Sequence, residues 1–188
     1  MIKRKETYEN IRKEFGPLSQ SQVEGFEAVF DEWDSRTLND IRQLDYILAT
    51  VWHEVGGTMQ PIREIGKGKG KKYGQRVWYS EKPYSDIPHI FYGRGHVQNT
   101  WRDIYEKLTK ANKKGWDFVN NPDLLLTMEC SIWATFYGMT TGLYTGKKLS
   151  DYFGMNLESP YGARRIINGT DRADLIAGYY YKFKKCVV

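Results

Sequence analysis

A mainly helical domain with a small β component is the fold class this sequence predicts. Three observations carry that expectation. Apolar residues recur at spacings of three and four in several separate stretches, which is the pattern of helices that bury one face. One short segment alone, Arg76 to Tyr79, alternates weakly in the manner of a strand. No internal repeat, low-complexity tail or linker interrupts the 188 residues, so a single domain over 1–188 is expected.

Taken in order, residues 5–15 form a first short helix closed by Gly16 and Pro17. Ser19 or Ser21 starts a second, with Val23, Phe26, Phe30 and Trp33 on one face. After a turn over Asp34 to Arg36, the third helix carries the stripe Ile41, Leu44, Leu48, Val51 and Val55. Thr37 with Asp40 resembles its capping box, and Gly56 supplies the left-handed residue that closes it. Gly66 to Tyr73 is too rich in glycine for a helix and lacks the Ser or Thr that follows the lysine of a phosphate-binding loop. It reads as a flexible basic flap, either a solvated loop or an attractor of an anionic polymer. Pro83 to Pro88 is irregular. Thr100 and Asp103 form a second capping box for a helix to about Asn112, and the threonine hydroxyl at that helix mouth is also placed to hold a water. Asn121 and Pro122 open the next helix, with Leu125, Met128, Ile132, Trp133 and Phe136 inward. Ser159 and Pro160 start a short helix ending at Ile167, and after Asn168 and Gly169 the last helix runs from about Asp171 through Ile176, Tyr180 and Phe183.

Composition narrows the functional classes. The chain is 40% hydrophobic and 15% aromatic, which supports a packed core and excludes disorder. A net charge of +5 favours an anionic partner such as nucleic acid, membrane headgroups or bacterial cell wall without choosing among them. Cys130 and Cys186 are too few for a disulfide scaffold. The charged start, Met1 to Glu6, leads into no apolar region, so no signal peptide is expected, and the uncharged run from Cys130 to Gly146 is short for a membrane span.

The chemistry points to Glu54 and Glu64. Glu54 rides on the end of an apolar helix, and Glu64 lies ten residues on, beyond a glycine pair and Pro61. Two carboxylates on different elements suit glycoside hydrolysis, one as acid and one as base; the alternative is two unrelated surface glutamates. A zinc-helix reading of His53 and Glu54 fails because position 57, where the second histidine belongs, is glycine. His89 and His96 are too scattered to argue for a metal.

His53 and Glu54 with Gly56 and Gly57, Glu64 with the glycine-rich segment and Tyr73, then Tyr92, Gly93, Arg94 and Gly95 with Gln98 and Thr100 follow one another along the chain. Asn121 with Pro122 and the run Ile166, Ile167, Asn168, Gly169 complete a series over roughly residues 45–180. In that order they resemble the family 19 glycoside hydrolases, which include plant chitinases and many bacteriophage endolysins. The short form, without a chitin-binding module or the plant disulfides, is more similar to the endolysins.

The resemblance implies a lysozyme-like fold of two lobes around a central cleft, with a small β/loop flap and Glu54 and Glu64 on opposite walls. It makes Glu54 the general acid, Glu64 the base that activates water, and Thr100 the hydroxyl that helps hold that water. Gln98, Asn168 and Tyr92 become substrate-binding residues. The family inverts the anomeric centre, which requires carboxyl groups roughly 6.5 to 9.5 Å apart. No metal or organic cofactor is implied. The expected partner is the glycan of bacterial peptidoglycan, cut at β-1,4 bonds by a monomer that neither inserts into the membrane nor binds nucleic acid. Such an endolysin waits in the host cytoplasm until the membrane is permeabilised, then acts in the periplasm and cell wall. The rivals are a chitinase and a catalytically silent wall-binding or virion protein. Two positions depart from the family: Ile104 stands where an asparagine is frequent, and Leu175 where an arginine is frequent.

Overall fold

A computed structural model describes residues 1–188 and contains seven α-helices and four two-residue strands. The chain divides into two compact units, Met1–Met59 with Thr135–Val188, and Gln60–Ala134.

The first unit is built on α1 (Arg4–Phe15), α2 (Gln20–Asp34), α3 (Ile41–Glu54) and α7 (Ala173–Cys186). Ser19, one of the two expected starts, caps α2 with a full capping box to Gln22. Phe26, Phe30, Trp33, Ile176, Tyr180 and Phe183 are buried, and Phe15 stacks on Phe183 with ring centroids 4.6 Å apart. The third helix departs from expectation at its start. Asp40, not Thr37, is the cap and accepts from the Arg42 amide, so the helix begins later. Ile41 consequently lies in the first turn and is 40% exposed, while Leu44, Leu48, Val51 and Val55 are buried.

The end of α3 follows the sequence. Gly56 and Gly57 take φ values of 58° and 76°, a region that costs glycine nothing. Gln22 donates to the Gly57 carbonyl at 2.8 Å, and Gly25 of α2 lies so close to Met59 that a side chain there would collide with it. The residues after Glu54 are therefore pinned. The remainder of this unit holds the second half of α5 (Met128–Thr141), the hairpin of β3 (Phe153–Gly154) and β4 (Leu157–Glu158), and α6 (Pro160–Ala163), which passes into a 3-10 turn over Arg164–Ile166.

One buried carboxyl in this unit has no charged partner beside it. Asp45, on α3, is 1% exposed and its Oδ1 has no hydrogen-bond partner. Burial pushes its pKa up to about 8, with Asp40 and Glu158 adding to the rise and Lys184 opposing it. Between the ordinary carboxylate range and pH 8 the folded state holds a proton that the unfolded chain has released, so stability falls as pH rises through that window. Urea unfolding is expected to show a loss on the order of 4 kcal/mol between about pH 5 and about pH 8 that Asp45→Asn lacks. Equal losses in parent and variant would remove Asp45 as the cause.

The second unit has little regular structure. β1 (Ile62–Arg63) pairs antiparallel with β2 (Arg94–Gly95), Ile62 opposite Gly95. The expected strand at Arg76 to Tyr79 is a single bridge between Val77 and Pro83, because the chain turns at once from Trp78 to Glu81. The helix expected from Asn121 is two elements, a 3-10 segment over Pro122–Leu126 and then α5, separated at Thr127. Arg94 anchors this unit. It is 4% exposed, lies 3.7 Å from the Tyr92 ring centroid, and pairs with Asp123 at 2.7 Å, so its charge is buried but matched.

No helix is long and apolar enough to cross a membrane.

Candidate active site

Glu54 closes α3 in the first unit. Its side chain is 16% exposed, and Arg164 Nη1 meets Oε1 at 2.5 Å. A carboxylate at a helix C-terminus faces the negative end of the helix dipole, and a neighbouring cation offsets that cost. Arg164 is held in turn, since its Nε donates to the Asp171 carbonyl at 2.9 Å and its side chain is 5% exposed. The sequence reading missed this residue. It places Leu175 where an arginine is frequent, but Leu175 is 45% exposed and the arginine that reaches Glu54 comes from the turn after α6. The signal was faint, an arginine at the end of a short Pro-started helix. His53 beside Glu54 is half-buried, and burial lowers its pKa, so it stays neutral over a wider range. Asn168 is exposed in the same unit, its backbone N–H donating to the Arg164 carbonyl at 3.0 Å.

Glu64 directly follows β1 in the second unit. Tyr73 donates its hydroxyl to Oε1 at 2.8 Å and the Gly93 amide donates to Oε2 at 2.9 Å. The Glu64 amide returns a bond to the Gly93 carbonyl at 2.8 Å. Both oxygens are thus fixed by neutral donors, and no cation pairs with this carboxylate. Burial, reinforced by Glu64, pushes the Tyr73 hydroxyl up to about 12, so it remains a donor. Gly93 is required by space: a Cβ there would lie 2.7 Å from Gln98 Oε1 and 3.3 Å from Glu64 Oε2.

Gln98 takes a left-handed φ of 51°, and its amide nitrogen donates to the carbonyls of Ile62 and Gly95 at 3.1 and 3.0 Å. Its donors are spent on joining β1 to the turn after β2, which leaves the amide oxygen for other partners. Thr100 is not a cap. The helix α4 (Arg102–Ala111) has Trp101 at its cap position, at φ 67° and without a side-chain cap bond. The expected capping box fails because Asp103 is taken by the Tyr79 amide at 2.7 Å. The Thr100 hydroxyl is therefore not spent on the helix. A bulky residue at positive φ is an outlier that its surroundings must hold in place. Tyr73 and Tyr79 do so, packing edge-on against the Trp101 ring at 5.8 and 5.1 Å.

Tyr92 is buried, its hydroxyl accepting from Arg63 at 2.9 Å and its ring covered by Arg94. It stands with Asp123, His89 and Asn121 around a separate cavity of about 490 Å³ that includes none of Glu64, Gln98 and Thr100. The second unit therefore joins Glu64 and Gln98 through Gly93, and sets Tyr92 apart.

No family model and no curated protein matches the chain. Its fold is similar to two solved chitinase structures. One is a mutant of chitinase C, at a TM-score of 0.58 and 14% identity over 95% of this chain and 90% of that one. The other is a bacterial family 19 chitinase described as differing from the plant enzymes, at 0.55 and 18% over 95% and 92%. The mainly helical class expected from the sequence is thus the fold present, and it is the fold of those chitinases.

Proposed function

We propose that this protein is a glycoside hydrolase that cleaves β-1,4 bonds in the glycan strands of bacterial peptidoglycan, in the manner of a phage endolysin. The observation that supports it most is the fixed Glu64 carboxylate. Two neutral donors orient it, and no ion pair cancels the charge that would draw a proton from water. In this reading Glu54 protonates the glycosidic oxygen, Glu64 activates the attacking water, and the uncommitted Thr100 hydroxyl helps hold that water. Gln98 through its amide oxygen and Asn168 through its exposed side-chain amide contact the sugar. Tyr92 serves by seating Arg63 and Arg94. Glu54, ion-paired with Arg164 in the free protein, takes up a proton before it can donate one, and Arg164 matches the carboxylate again once that proton has gone.

Hydrolysis of chitin is the second reading, favoured by what both similar structures are called. Release of reducing ends from purified sacculi and from chitin oligosaccharides, by the parent and by Glu54→Gln, tests both. Ends released from sacculi by the parent alone support the first reading, and ends from chitin alone support the second. Fresh ends in the α configuration are expected if a water attacks from the face opposite the leaving group; β ends would exclude inversion. No release from either substrate would remove the enzyme reading.

A further inference from the structure

The stretch after Glu64 was expected to be a flexible flap, and its backbone says otherwise. Lys67, Lys69 and Lys71 donate their amides to the carbonyls of Glu64, Gly66 and Gly68 at 3.2, 2.9 and 2.9 Å, which makes a ladder of consecutive turns. Gly66, Gly68 and Gly70 hold φ values of 82°, 76° and 77°, a conformation other residues adopt only with strain. Gly68 is buried against Gly74, and a methyl group on either would collide with the other's backbone. The ladder starts at Glu64 and ends at Tyr73, which bonds back to Glu64 at 2.8 Å. It is closed at both ends on the same residue, through the Glu64 main-chain carbonyl at the start and the Glu64 carboxylate at the finish.

What this ladder displays is charge. Lys67, Lys69 and Lys71 are exposed, and none takes part in an ion pair. Lys72, the next lysine, pairs with Glu81 at 2.5 Å. Three uncompensated cations on a pinned backbone lose less entropy on meeting an anion than three on a mobile loop. A neutral polysaccharide gives such cations nothing to bind. A glycan whose sugars carry peptides offers carboxylates along its length, at the spacing of its repeat.

We infer that the lysine ladder Lys67, Lys69 and Lys71 is a docking site for carboxylates borne beside the glycan. The polymer taken at Glu64 is then a peptide-bearing, anionic glycan. This names the substrate class within the proposed function and rests on the reading of Glu64 as part of a glycan site. The cations act on binding, not on the bond that breaks.

Cosedimentation of the full chain with sacculi freed of teichoic acid tests it without relying on turnover. The parent and the triple variant Lys67→Gln, Lys69→Gln, Lys71→Gln are compared on intact sacculi and on sacculi whose peptide carboxylates have been converted to methylamides. The parent is expected to bind intact sacculi at least about tenfold more tightly than methylamidated ones, the scale for several exposed charge pairs. The triple variant is expected to show no such preference. The parent's advantage should shrink between about 10 mM and about 150 mM salt, as the screening length falls from about 30 Å to about 8 Å. Equal binding of parent and variant to intact sacculi, or no effect of methylamidation on the parent, overturns the inference. Carboxylate-dependent binding with no bond cleavage would leave the docking site standing and remove the hydrolase. Cleavage without carboxylate dependence would do the reverse.

Discussion

Glu54→Gln is expected to lower the rate of glycan cleavage by about a thousandfold, within the range that general acid catalysis contributes. The amide keeps the shape of the carboxyl and can still accept from Arg164 through its oxygen, so the position at the end of α3 stays filled. What it cannot do is deliver a proton to a departing sugar oxygen. Binding to sacculi should change by only a few-fold, because the defect lies in the transition state and not in the bound ground state. Reducing-end assays at saturating substrate, run beside cosedimentation, separate the two. A variant within tenfold of the parent would show that some other group supplies the proton.

The second large effect is on stability. Arg164 and Glu54 form an ion pair with side chains 5% and 16% exposed, so removing one partner strands the other's charge away from water. Arg164→Met fills much of the same volume but leaves Glu54 unmatched at the negative end of the α3 dipole and gives up the bond to the Asp171 carbonyl. A loss of about 3 to 5 kcal/mol is expected. For a chain of this length that lowers the melting temperature by about 10 °C. Combining Arg164→Met with Glu54→Gln should recover part of the loss, since the stranded charge is gone. Urea unfolding of parent, both single variants and the double variant closes the cycle. Strictly additive losses would mean that the contact with Glu54 contributes little and that Arg164 stabilises through packing and its bond to the Asp171 carbonyl.

These two residues also mark the boundary of what could be read in advance. Glu54 was legible because local rules suffice: an apolar stripe at helical spacing, ended by a glycine pair, leaves one carboxylate at a predictable helix end. Its partner was not. Arg164 lies 110 residues away, and nothing in its own neighbourhood distinguishes it from Arg165, which is exposed. The same contrast holds at Thr100. Its sequence context satisfies the capping pattern with Asp103, yet Asp103 is claimed by the Tyr79 amide across 24 positions, so the cap never forms. The lysine flap was misread for a related reason, since a run of glycines signals freedom unless two of them meet.

The sequence by itself determined the helical class, the core faces of α2, α3 and α7, the C-terminal end of α3 and the candidate status of Glu54 and Glu64. Each follows from residues within a few turns of one another, where spacing and backbone preference act directly. Only the tertiary structure decided how Glu64 is held, which arginine meets Glu54, that Tyr92 is spent on Arg63 and Arg94, and that the lysines stand on a rigid ladder. Those outcomes depend on which polar groups come within hydrogen-bond reach after the apolar faces have packed. Competition among many chemically equivalent donors is settled by geometry, which no local pattern encodes.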